Sequence, residues 1–350
     1  MAKSGVAAKV SYRRALLQSL TAQKCSSDAH PLESCATVTE YLASMPSIVE
    51  RVRKILSKEV RILSDGTNDR IINILQGEIA HATVSQADIL VSDHATTCHI
   101  LAVRSTLCTS TNLAQGEGGS TPLVSLCHID MPGYNRCLKS MVELHKRHHR
   151  GKMFMDFHIV GGFSDRNGSS LSITEHLMEF IGRLAQEEGL CIQPTIKTCA
   201  VSCLNSDGSS GPIGRGMAID VRTGEVYIAK VDPSVAGPAT ELRGARLWAS
   251  SRDETERLSI IHTPASDGIA VEPFQFGNED FKAYIALSDE DLLLATSTSP
   301  DAEEEDFCDQ ARRSMKFLQS NDTEKVFGYR GCTPLRFRRS DQNANKWCLR

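Results

Sequence analysis

Cys98 stands in the run Ser92-Asp93-His94-Ala95-Thr96-Thr97-Cys98-His99-Ile100, between a polar turn and an apolar stretch. A thiol there can act as a nucleophile once something takes its proton. With an ordinary pKa of about 8.5, only a few per cent is thiolate at neutral pH. An imidazole within reach raises that fraction and can return the proton later. His94, His99 and His128 are the candidates.

Strand arithmetic selects among them. If the strand beginning at Cys98 runs to about Ser105 and residues 121–128 return antiparallel, the pairs Ser105/Thr121 and Cys98/His128 share one register. Residues 106–120, polar and Gly-rich, then form a long hairpin loop. Directly opposed Cβ atoms lie about 4.5–5.5 Å apart, so His128 reaches the sulfur. His99 does not, because successive strand side chains point to opposite faces. Ser92 is the expected orienter of the histidine, with Ser164 as the alternative, and His94 is a rival base if the segment curls. Cysteine is also among the most buried residue types, and spacing alone leaves a purely packing role open.

Other constellations carry less chemistry. A zinc site from Cys98-His99 and Cys127-His128 conflicts with strand alternation, which turns the members of each pair apart. The run His145-Lys146-Arg147-His148-His149-Arg150 reads as a solvated helix end. Gly161-Gly162 ends a strand, where it serves either close backbone approach to a substrate or a tight connection.

The elements that must position these groups follow from periodicity. A helix is expected over residues 39–57 with a break near Pro46, and others over 173–184, 241–248 and 306–319. Strands are expected at 60–63, 70–75, 89–91, 100–103, 121–128, 154–160, 195–204, 216–221 and 225–231. Strands outnumber helices without alternating with them, which favours an α+β sandwich over a doubly wound sheet. The 350 residues divide into a basic, disordered extension (1–36), one catalytic domain (37–337) and a loose polar tail (338–350). The net charge of −4 argues against a nucleic-acid binder, and no apolar run is long enough to span a membrane. Twelve cysteines without a C-x-x-C pair or a signal peptide read as reduced intracellular thiols. The acid-poor first 27 residues offer organelle import as an alternative to a plain basic tail.

The segment 92–100 resembles the active-site segment of the protein N-terminal asparagine amidohydrolase family. His158-Ile159-Val160-Gly161-Gly162-Phe163-Ser164-Asp165 is similar to a second family segment, and Ser297-Thr298-Ser299-Pro300 with the later Arg313-Ser314-Met315-Lys316-Phe317-Leu318 to a third. Residues 216–220 through 225–227 resemble the family's central hairpin, and the resemblance spans about residues 37–337. It implies an α-β-β sandwich of the deamidase-type cysteine hydrolases, and conversion of N-terminal asparagine to aspartate, which arginylation and ubiquitin-dependent degradation then use. The family's Cys, His and Ser carry over to Cys98, His128 and Ser92. The free α-amino group of the substrate calls for a carboxylate, for which Asp93 is the candidate. Thr97, Gly161, Gly162 and Ser164 are the further expected substrate contacts.

No metal or other cofactor is implied. The expected partners are proteins or peptides with a free N-terminal asparagine, met by a monomer in the cytoplasm or nucleus. The chain departs from the family in its N-terminal extension, in a Gly- and Ser-rich insert at 109–121, and in His94, where an acid is common. The rival readings are a glutamine deamidase or transglutaminase-like enzyme on the same scaffold, and an inactive module that binds N-terminal asparagine.

Overall fold

The computed structural model describes residues 42, 45–108, 121–131, 134–163, 168–188, 191–205, 213–249, 258–277, 280–341 and 343–350. The expected 1–36 extension, most of the 109–121 insert and Ser164 lie outside the described residues. Pro46 has no amide proton to leave unpaired in a first turn, so it opens helix α1 (Pro46–Leu56); Leu42 is also helical and Met45 between them is not. Ile48, Val52 and Ile55 form the buried side of that helix.

Two large sheets face each other. One has the order β1 (Arg61–Leu63), β10 (Val226–Val231), β9 (Arg215–Asp220), β4 (Ile89–Ala95), β2 (Ile71–Asn73). The other has the order β11 (Ser259–His262), β3 (Glu78–Thr83), β6 (Leu123–Ile129), β5 (His99–Leu107), β7 (Met153–Gly161), β8 (Ile192–Val201). β7 and β8 run parallel and therefore need a crossover, which α3 (Ser169–Glu187) supplies.

Alternation along β5 separates the layers. His99 bonds to Thr174 of α3, and Ser105 to His145 and His149 of α2 (Asn135–His149), so the odd positions face helices. Arg104 donates to the Arg222 carbonyl in the β9–β10 turn, so the even positions face the other sheet. The result is helix, sheet, sheet: a mixed α+β architecture.

Helix α2 docks through a buried hydrogen-bonded chain. His81 Nδ1 lies 2.6 Å from Ser125 Oγ, which lies 2.7 Å from His145 Nε2. His145 Nδ1 lies 2.5 Å from Ser105 Oγ, itself 2.7 Å from His149 Nε2. The basic run is thus only partly a solvated helix end: Arg147 and Arg150 are exposed, while His145 and His149 are buried.

A second apolar core lies C-terminally, around Leu242, Ala245, Phe276, Leu318 and Phe327. It gathers α4 (Thr240–Ala245), α7 (Phe307–Ser320) and α8 (Thr323–Phe327), with α5 (Lys282–Ile285) and α6 (Asp289–Thr296) beside α7. Buried Arg243 of α4 ties it to the sandwich, donating from Nε and Nη2 to the two oxygens of Glu78 at 2.9 and 2.6 Å.

The final residues are not loose. β13 (Leu335–Arg339) pairs with β12 (Gly268–Val271) and with β14 (Trp347–Leu349). Asn345 Oδ1 accepts from the Ile71 amide on β2, and Arg339 Nη2 donates to the Ile71 carbonyl. Hydropathy gives no sign of this, because polar side chains make the attachment.

Candidate active site

Strand β4 pairs regularly with β9 as far as Ser92/Met217, and the ladder resumes at Ala95/Arg215 after an irregularity. His94 sits in that gap with φ of 58°, a left-handed conformation uncommon for a residue with a side chain. The bend at 96–98 then carries the chain from one sheet to the other. Cys98 occupies the last position of the bend, at the seam, 9% exposed and outside any disulfide.

The β5–β6 register differs from the expected one by two residues. Ile100, not Cys98, lies opposite His128, and Ser105 lies opposite Leu123. The expected register would have set Pro122 against Arg104 within a central strand, where a residue without N–H cannot sustain the ladder. A shift of two keeps every side chain on its face. The ladder ends at His99/Ile129, so Cys98 and Asp130 stand just beyond its last pair, and His128 pairs with Ile100, two residues after Cys98.

From β4, Ser92 meets His128. Its Oγ lies 2.8 Å from His128 Nδ1, with both residues buried. His128 Nε2 is buried and has no hydrogen-bond partner among the described residues. Burial pushes the His128 pKa down to about 4, with Asp130 opposing the shift and His94 adding to it. The ring is therefore neutral at pH 7. With its hydrogen on Nδ1, facing Ser92, Nε2 keeps the lone pair that a base requires.

Comparison with known proteins bears on this arrangement. The sequence model described as protein N-terminal asparagine amidohydrolase matches residues 63–348. The chain belongs to the protein N-terminal asparagine amidohydrolase family. It is 26% identical over 310 residues to the Homo sapiens protein of that name, covering 86% of this chain and 91% of the relative. The Sus scrofa protein is 27% identical over 289 residues, covering 80% and 83%. The Arabidopsis thaliana protein is 25% identical over 272 residues, covering 72% and 74%.

In this member of the amidohydrolase family the remaining sequence candidates fall in different places. Gly162 donates its N–H to the Cys98 carbonyl at 2.9 Å, beside the nucleophile candidate. Gly161 (φ 116°) and Gly162 (φ 72°) both need glycine, and a Cβ on Gly161 would come within 2.4 Å of the Cys98 oxygen. Thr97 Oγ1 lies 2.9 Å from Thr298 Oγ1, which sets the Ser297–Pro300 segment against the bend. His99 turns to the helix side, as alternation requires. His94 lies 3.6 Å from Asp93 and 3.9 Å from Glu304.

Asp93 is not brought to the thiol. Strand alternation turns it away from the Ser92 face, and its two oxygens accept from the backbone of His94 (2.7 Å) and of Val231 (2.8 Å). Two other carboxylates flank the Cys98 segment. Asp130 accepts from Tyr134 Oη and Gln76 Nε2. Glu303, in the segment joined to Thr97, accepts from Ser297 Oγ, and burial raises its pKa. Asp130 could have been found from its spacing of two from His128; Glu303 had no such signal. Among the described residues no group of three His, Cys, Asp or Glu is placed to hold a metal, and no helix is long and apolar enough to cross a membrane.

Proposed function

We propose that the chain hydrolyses the side-chain amide of an N-terminal asparagine, giving N-terminal aspartate and ammonia. The observation that carries this reading is the Ser92–His128 contact, with a neutral, unpartnered Nε2 on the residue paired with Ile100, two residues from Cys98. His128 Nε2 takes the Cys98 proton as Sγ attacks the amide carbon. The C–N bond breaks, His128 gives that proton to the departing nitrogen, and ammonia leaves a thioester. Water then attacks the thioester. His128 takes a proton from the water and returns it to the sulfur, regenerating the thiol and releasing the new carboxyl group.

Ser92 fixes the ring and its tautomer. Asp130 and Glu303, rather than Asp93, are the carboxylates for the substrate's α-ammonium, whose burial without a counter-charge would be costly. The helix–sheet–sheet layering supports a place among the deamidase-type cysteine hydrolases. The product is a start that arginylation extends, which places the chain, acting as a monomer in the cytoplasm or nucleus, upstream of ubiquitin-dependent degradation.

The test is ammonia release with mass spectrometry on a peptide beginning with free asparagine. Parallel samples carry N-terminal glutamine, an acetylated start, internal asparagine, or Cys98→Ala enzyme. Conversion of the free asparagine peptide alone, lost in the variant, is expected. Conversion of glutamine, or binding without conversion, overturns the proposal.

A further inference from the structure

The geometry points to Asn205 and Arg215 as positioning residues for Cys98, an inference that rests on the function proposed above. Beyond β5 the ladder to β7 continues in one more bond, from Gly162 N–H to the Cys98 carbonyl at 2.9 Å. The Gly162 carbonyl in turn accepts from Asn205 Nδ2 at 2.9 Å. Asn205 Oδ1 accepts from Arg215 Nε at 3.0 Å. Arg215 is the β9 residue paired with Ala95, where β4 ends. From Ala95 the chain returns covalently through Thr96 and Thr97 to Cys98. These links close a ring around the bend that presents the thiol, and the ring passes through both sheets.

That closure bears on reactivity because the three expected catalytic groups are divided among its parts. Ser92 belongs to one sheet, His128 to the other, and Cys98 to the connection between them. Their mutual placement depends on how the sheets are held at this corner. Asn205, 2% exposed, is the residue there whose side chain bonds to the backbone of one sheet and to a side chain of the other. The turn it holds contains two positive-φ glycines, with Gly162 lying against the His99 ring so closely that a Cβ would come within 2.6 Å of it. Gly161 is paired with His99 and Val201, and Phe163 N–H bonds to Ser170 Oγ; Asn205 holds the Gly162 carbonyl between them. Displacing a nucleophile by about 1 Å can cost on the order of 100-fold in rate.

The experiment uses the full chain with Asn205→Asp and Arg215→Lys. Asn205→Asp keeps the acceptor for Arg215 and removes the donor to Gly162; Arg215→Lys keeps a cationic donor. For each, kcat and KM are measured on the free asparagine peptide, with Tm. The rate of iodoacetamide labelling of Cys98 against pH is followed by peptide mass spectrometry, with exposed Cys191 and Cys332 as internal references. Asn205→Asp is expected to lower kcat by about 10–100-fold with KM changed less than about twofold, and to alter Cys98 labelling while the reference thiols keep theirs. Arg215→Lys is expected to fall between wild type and Asn205→Asp. A kcat loss no larger than the loss of folded protein, with Cys98 labelling unchanged, would make Asn205 a structural staple only and overturn the inference. If wild-type protein releases no ammonia, the proposed function fails by itself, and the labelling profiles still decide whether Asn205 positions the thiol.

Discussion

The six-stranded sheet carries a serine–histidine arrangement on each face, and the two differ in completeness. Toward the helices, Ser125 and Ser105 alternate with His81, His145 and His149, and both nitrogens of the central His145 meet a hydroxyl. Toward the other sheet, Ser92 meets one nitrogen of His128, and the second nitrogen is buried without a partner. Both sets are dry and both hold neutral rings, since burial pushes His81 down to about 3 and His128 to about 4. Residue type and burial therefore do not distinguish a site from a staple. An unfilled bond does so only together with the face it lies on: His99 Nδ1 is also buried without a partner, but His99 turns to the helices, whereas His128 lies on the face that meets Ser92.

Changes to the two faces should separate chemistry from stability. Cys98→Ala is expected to lower kcat by at least about 10⁴-fold with little change in Tm, read by ammonia release and calorimetry. If activity survives, the open face is not the active one. On the closed face, Ser125→Ala strands two buried ring nitrogens and is expected to cost about 2–5 kcal/mol in urea unfolding. The activity per folded molecule should hold. A parallel fall in that activity would mean the faces are coupled.

Ser92→Ala removes one contact from a ring that keeps its place in the sheet. Its expected effect is a kcat loss of about 10–100-fold, smaller than losing the base outright. Unchanged kcat would remove Ser92 from the site. The smallest expected effect concerns pH. Both sets contain histidines whose folded pKa values are lowered, so their stabilisation is present above about pH 6.5 and is lost as the pH falls toward 4 and 3. His81→Gln should flatten the fall of stability between pH 6 and 4 by up to about 1.4 kcal/mol per pH unit, measured by urea midpoints. The acid limb of kcat/KM should lie nearer 4 than 6.5, in a short assay that precedes unfolding.

The sequence made faces legible more readily than registers. Alternation turned His99 to the helices, where it bonds to Thr174, and kept His128 on the opposite face, where it meets Ser92, because parity survives a shift of two. The register itself required weighing Pro122, which stands just before the first residue of β6, Leu123. β3 escaped notice because all six of its positions are buried, leaving no alternation to read. Family resemblance pointed to Ser92, whereas Asn205 and Arg215 were invisible. Their bond joins elements that only tertiary packing brings together. The bonds of Asp93 to the backbone of His94 and of Val231 were equally hidden, the second because it joins strands far apart in sequence.

The C-terminal attachment has a consequence for how this protein keeps to itself. β2 is the outer strand of the five-stranded sheet and consists of Ile71, Ile72 and Asn73. An uncovered edge of that kind invites a strand from another molecule. Asn345 and Arg339 occupy both the N–H and the carbonyl of Ile71, so the last residues act as a stopper against edge-to-edge aggregation. A chain trimmed before Arg339 would keep its nucleophile and lose that protection, and light scattering would register the loss before any assay did.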